Sequence, residues 1–228
     1  MTAVYCFSGS GHSLAVANFF AKQLCCNINE ISTETKTQSS KETAIVVFPV
    51  YCQNIPEPVK LFLQKMTSEY VVLIATYGKI SYGNVLYEAK KMVQSQVIAG
   101  AYVPIGHTFL NGSSDFDTNA LMPIMQRIKA PQKAYIPKTR KNLLADISPA
   151  WRSRIGVKLI RTNACRLCNV CKMNCPMNAI ENGKTNSECI RCLRCVANCP
   201  HKALQFKNRW ILQKYLKCQN KDEFKLYL

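Results

Sequence analysis

The sequence predicts an α/β chain: a doubly wound parallel sheet, followed by a small α+β domain built on cysteines. Three observations carry this. Short apolar runs alternate with helix-spaced segments from residue 3 to about residue 130. Nine of the thirteen cysteines lie between Cys165 and Cys218. Charge divides at the same place: residues 1–150 hold 14 Lys+Arg and 9 Asp+Glu, whereas residues 151–228 hold 16 and 4. The break sets one domain at 1–150 and a second at 151–228. Ser148-Pro149-Ala150, Trp151 and the basic run after it read as the linker.

Ala3 to Phe7 is an apolar run ended by Ser8-Gly9-Ser10-Gly11, which favours a buried strand. Leu14, Ala17, Phe20, Ala21 and Leu24 then recur at helical spacing. Asn27 to Ile31 reads as a short second strand. Ala44 to Phe48 is another strand, stopped by Pro49. Pro56 and Pro58 open a helix carrying Val59, Leu61, Phe62 and Met66. Tyr70 to Ala75 is a strand, Asn84 to Gln94 a helix, Val97 to Ile105 a strand and 119–129 a helix. Strands that alternate with helices pair in parallel through right-handed crossovers. Ligands in such sheets sit beyond the carboxyl ends of the strands. That directs attention to loops 8–13, 49–56 and 76–83.

Ser8-Gly9-Ser10-Gly11-His12-Ser13 follows a strand and precedes a helix. Glycines let the backbone curl round an anion, the serines add donors, and the helix start adds partial positive charge. An ordinary glycine-rich turn with a serine cap has the same look. The loop lacks the Gly-Lys-Ser/Thr of a P-loop. Leu14 stands where a dinucleotide fingerprint needs its third glycine. Pro49-Val50-Tyr51, Thr76-Tyr77-Gly78 and Tyr82 place aromatics just past strand ends. There they either hold a flat heterocycle or simply cap the sheet.

These loops resemble those of flavodoxin, over roughly residues 3–130. The resemblance implies a flavodoxin-like fold and FMN. It places Ser8, Ser10, Gly11 and Ser13, with His12 beside them, around the phosphate. Pro49, Val50, Tyr51, Thr76, Tyr77, Gly78 and Tyr82 fall near the ring. Cys52-Gln53-Asn54 departs from the glycines of that family's ring-side loop.

The cysteines follow a stricter rule. Cys165-x2-Cys168-x2-Cys171-x3-Cys175-Pro176 recurs 24 residues later as Cys189-x2-Cys192-x2-Cys195-x3-Cys199-Pro200. Three close thiolates reach three corners of an iron–sulfur cubane from one curled loop, and the fourth comes from the other motif. One [4Fe–4S] cluster is thus expected on Cys165, Cys168, Cys171 and Cys199. The second is expected on Cys189, Cys192, Cys195 and Cys175. Zinc, the other common partner of Cys-x2-Cys, takes four ligands, usually as two separated pairs. The segment 158–208 resembles a bacterial-type two-cluster ferredoxin. Cys6, Cys25, Cys26, Cys52 and Cys218 stand outside the motifs and read as packing residues.

Taken together, the chain resembles the EFR1-type flavodoxin–ferredoxin fusion proteins found mainly in anaerobes. That resemblance implies an electron-transfer protein relaying electrons between FMN and two [4Fe–4S] clusters. The alternative is an FMN-dependent reductase of a small quinone or nitro compound fed by the clusters. No catalytic triad or acid–base pair stands out, and His107 reads as structural or solvent-facing. The formal charge of +17 carries no helix-turn-helix or RNA-binding motif with it, so nucleic acid is not expected. Anionic clusters and FMN offset about six of those charges. The remainder suits an acidic redox partner. No stretch reaches 18 apolar residues, so no membrane span is expected. The first residues lack a basic leader, which points to the cytoplasm.

Overall fold

Alternation of apolar side chains across a strand sends successive residues to opposite sheet faces. In this computed structural model, which describes residues 2–35, 42–110, 112–147, 149–217 and 222–228, that rule builds the large sheet. Its strands are β1 (Thr2–Cys6), β2 (Ile28–Glu30), β3 (Thr43–Pro49), β4 (Tyr70–Tyr77) and β5 (Gln96–Pro104). All pair in parallel, in the order β2-β1-β3-β4-β5. This is one of the two common doubly wound orders and is consistent with a flavodoxin-like fold.

Helix α1 (His12–Gln23) covers one face. There Val16, Ala17 and Phe20 pack with Val4, Ile45, Val47, Val72 and Ile74. Helix α4 (Met122–Lys129), entered through a 3-10 turn at Asn119–Leu121, joins that layer through Ile124. The opposite face takes α2 (Glu57–Lys65) and α3 (Val85–Met92). Val59, Phe62, Leu63, Leu86 and Ala89 meet Tyr5, Val46, Phe48, Leu73 and Ala75 there.

The cysteine-rich segment carries a second, smaller architecture. Helix α5 (Pro149–Gly156) leads into β6 (Val157–Arg161), which pairs antiparallel with β9 (Leu204–Asn208). Between them lie α6 (Val170–Met173), the hairpin β7 (Ile180–Glu181) with β8 (Lys184–Thr185), and α7 (Arg194–Ala197). The duplication is written into the backbone as well. Left-handed residues recur 24 positions apart at Leu167 and Arg191, Asn169 and Leu193, and Asn178 and Lys202. The amide of Ala179 donates to Cys175 Sγ (3.2 Å), and that of Ala203 to Cys199 Sγ (3.3 Å).

Two features differ from the expectation. The basic run expected as a linker is helical over Pro149–Gly156, with Ser148 outside the described residues. Gly156 of α5 rests on Leu212 of α8 (Trp210–Leu216), which supplies the packing that local sequence does not advertise. The C-terminal extension, grouped by composition with the second segment, returns to the first. Strand β10 (Lys225–Tyr227) pairs antiparallel with β5 and completes the large sheet as its sixth strand. Cys218 lies outside the described residues. Among the described residues, no helix is long and apolar enough to cross a membrane.

Candidate functional site: a strand-end cavity and two cysteine-lined cavities

Parallel strands bring their following loops to one edge, so residues 8–13, 49–56 and 76–83 meet beyond β1, β3 and β4. The Val50 amide donates to Thr76 O at 2.8 Å. Ser13 Oγ lies 2.8 Å from Thr76 Oγ1 in a buried pair, and Ser10 Oγ lies 2.9 Å from Thr108 Oγ1. Gly11 takes φ +97°, a conformation that favours glycine, with open space where a Cβ would stand. It precedes α1 without a side-chain cap, while Ser8 Oγ accepts from the Leu14 amide at 3.3 Å.

A large cavity opens at this edge, with about 1610 Å³ of space counting its mouth. His12, Pro49, Val50, Tyr51, Thr76, Tyr77 and Gly78 line it, together with Cys52. No Asp or Glu does, whereas Arg152 and Arg191 do. His107, Thr108 and Phe109 line it as well, from the segment 106–118 that, with the residues near Cys52, is expected to decide the pocket of the reductase alternative. Gly78 makes room for His107, since a Cβ there would meet its Cδ2 at 2.4 Å. His107 Nδ1 accepts from the Phe109 amide (3.2 Å), which leaves the proton of the neutral ring on Nε2. Burial, then the nearby His12, pushes the His107 imidazole down to about 4. Burial lowers His12 too, and its Nδ1 pairs with Ser114 Oγ at 2.9 Å.

The turn Tyr51–Asn54 closes on itself, with mutual backbone bonds of 3.0 and 2.8 Å. Cys52 and Gln53, its central residues, have φ of 52° and 64°. Turns with both central residues left-handed usually take glycine or asparagine. A strap over residues 139–146 holds this one. Asn54 Nδ2 donates to Ala145 O (2.8 Å), Lys141 Nζ to Asn54 Oδ1 (2.8 Å), and the Asn142 amide to Gln53 Oε1 (2.9 Å).

The expected residues do not all gather at the cavity. Tyr77 reaches its wall, yet its hydroxyl donates to Glu223 O at 2.7 Å. Tyr82 is not among the lining residues. Its ring stacks on Tyr102, with centroids 4.0 Å apart, and meets Tyr77 edge-on, so aromatic packing draws it into the core. Ser8, Ser10, Gly11 and Ser13 also lie outside the lining, although Ser10 and Ser13 hydrogen-bond the lining residues Thr108 and Thr76.

Two smaller cavities lie among the cysteines. One, with about 350 Å³ of space counting its mouth, is lined by Cys165, Cys168, Cys171 and Cys199. The other, with about 340 Å³ on the same measure, is lined by Cys175, Cys189, Cys192 and Cys195. Each takes three thiols from one motif and the fourth from its repeat. Among the described residues, no three His, Cys, Asp or Glu side chains converge as a single metal ion requires. Burial pushes the Cys192 and Cys195 thiols up to about 12, and neighbouring thiols of the set push the same way. Crowded thiolates of this kind need positive charge placed among them.

The second cysteine loop and the serine–glycine loop interlock. A Cβ on Gly9 would meet Cys192 O at 2.2 Å. The buried Arg194 donates through Nε and Nη2 to Ser8 O (2.9 and 2.6 Å) and pairs with Glu30. Thr33 donates through its amide and hydroxyl to Pro176 O. Ile190 and Arg191 line both the second cysteine cavity and the large one.

Among known proteins, no family model matches the chain and no curated protein matches it. One similar solved structure is of a "putative flavoprotein" from Bacteroides uniformis. It is 17% identical with a TM-score of 0.39, and the match covers 46% of this chain and 91% of that one.

Proposed function

We propose that the chain is an electron-transfer protein in which FMN and two [4Fe–4S] clusters form an internal relay, in a flavodoxin-like domain joined to a two-cluster ferredoxin-like one. The observation that carries the reading is the pair of cavities, each bounded by four thiols in the interleaved three-plus-one pattern. The donor sets fit iron–sulfur clusters: soft sulfur ligands, three of them buried, placed as four around each cavity rather than converging on one ion. The clusters would supply one-electron chemistry. Cys175 and Cys199 each accept a backbone amide hydrogen bond, an interaction that tunes a ligating sulfur.

The large cavity supports FMN on its own chemistry. It is free of carboxylates and opens beside a hydroxyl-rich loop at a helix start, as a planar heterocycle bearing phosphate requires. FMN there would exchange one or two electrons. Ser10 and Thr108 would bind phosphate, Ser13 would hold Thr76 in place behind them, and Tyr51 and the 76–78 backbone would orient the ring. Neutral His107 would offer its Nε2 proton as a donor without adding charge. The excess of Lys and Arg suits acidic redox partners.

A second reading, reduction of a small quinone or nitro compound, draws on the reach of the same cavity to Trp151, Ile211 and Tyr215. Steady-state turnover of such compounds that depends on added FMN would favour it over a carrier.

The deciding measurement is acid-released flavin and iron from protein purified without oxygen. About eight irons and one FMN per chain are expected. Cys171→Ala should leave about four irons, and unchanged iron would refute the cluster assignment.

A further inference from the structure

The two cysteine motifs are near copies in sequence but not in surroundings. In the first set, Cys168 is exposed and Cys165, Cys171 and Cys199 are partly so. In the second, Cys189, Cys192 and Cys195 are buried and only Cys175 is partly exposed. The cause lies at the positions where the copies differ. Val170 in the first copy is Arg194 in the second, and that guanidinium locks the second loop onto Ser8 and Glu30. The second set therefore faces inward, sharing Ile190 and Arg191 with the large cavity.

Around the first set the chain exposes both apolar and basic side chains. Leu167 is 54% exposed and Met173 74%. Arg166 and Lys202 are exposed as well, Arg166 on the cavity wall and Lys202 next in sequence to the lining residue His201. Residues 151–217 contain fourteen Lys and Arg but only two carboxylates, Glu181 and Glu188. Glu181 is already bound by Lys172 at 2.5 Å. Such a face favours an acidic protein and disfavours a basic one.

We propose that the two sets divide the work: the Cys165 set is the port where a small acidic protein carrier exchanges single electrons, and the Cys189 set connects that port to the large cavity. The inference rests on the iron–sulfur reading above. Each encounter oxidises the carrier by one electron and reduces the port by one, or the reverse, with no bond made or broken.

The test uses the whole chain, loaded and purified without oxygen, and a reduced acidic [2Fe–2S] ferredoxin as probe. Stopped-flow bleaching gives the second-order rate. Arg166→Glu with Lys202→Glu should slow it about tenfold or more at low ionic strength, with the difference fading as salt rises. Lys65→Glu with Lys129→Glu, the same charge change on the other lobe, should slow it less than about twofold. Iron content and the electron paramagnetic resonance spectrum establish that each variant is loaded. If the glutamate pair loses iron, Arg166→Gln with Lys202→Gln carries the test. An unchanged rate, or equal slowing by both pairs, overturns the proposal. A wild-type chain without iron overturns the reading beneath it instead.

Discussion

Two glycines of the serine–glycine loop do opposite work. Gly11 owes its identity to a left-handed backbone in open space, whereas Gly9 owes it to crowding by Cys192. Gly11→Ala should cost about 1 kcal/mol, the usual strain of a side chain in that region. Gly9→Ala should cost more, about 2–4 kcal/mol, because backbone must move. Thermal unfolding of the two variants gives the ranking, and a reversed order would contradict the packing described. His107 makes a second prediction. Its folded pKa of about 4 lies below the ordinary 6.5, so the unfolded chain binds the extra proton between those values. The contribution is whole above pH 6.5 and drains away as pH falls toward 4. The denaturant midpoint should therefore drop more steeply across that window in wild type than in His107→Gln. Parallel curves would remove His107 from the account.

At the level of elements, the five parallel strands were legible because each is a short apolar run between glycine, proline or polar breaks. Helix α5 was not. Its sequence, PAWRSRIG, has no apolar stripe, and its helical form depends on α8 packed beside Gly156. The strap over residues 139–146 was equally silent, because its partners lie far off in sequence. Lys141 shows what it does. One ammonium group meets Glu88 (2.8 Å), Asp146 (2.6 Å) and Asn54 Oδ1 (2.8 Å). Lys141→Met leaves Glu88 and Asn54 without that partner. It should lower stability by about 1–3 kcal/mol, read from the denaturant midpoint. The left-handed pair Cys52-Gln53 should loosen with it, so FMN affinity measured by fluorescence titration should fall too.

Across the whole molecule, the grouping of the cysteines was legible and the surroundings of the two sets were not. Spacing along the chain names the thiols around each cavity, but only the folded structure buries three of the four thiols in one set and none in the other. Likewise the strand-end loops and the segment carrying His107 were legible, while Arg152 and Arg191 reach the cavity from segments with no local mark. Tyr82 had the right position and the wrong direction, because Tyr102 offered its ring a better face. The terminal strand ties the lobes: β10 pairs with β5, and Glu223 O receives the Tyr77 hydroxyl. Deleting residues 222–228 bares the edge of β5. The expected outcome is a melting temperature about 5–10 °C lower, with concentration-dependent association on size-exclusion chromatography.

That terminal strand also fixes an order of completion. Its partner in β5 is made more than a hundred residues earlier, and both cysteine motifs lie between them. At ribosomal speeds the gap lasts on the order of ten seconds. Throughout it the first lobe waits with one edge open, and the last strand can close the sheet only after both cysteine motifs have left the ribosome. Translation thus makes both cysteine motifs available before the sheet can close.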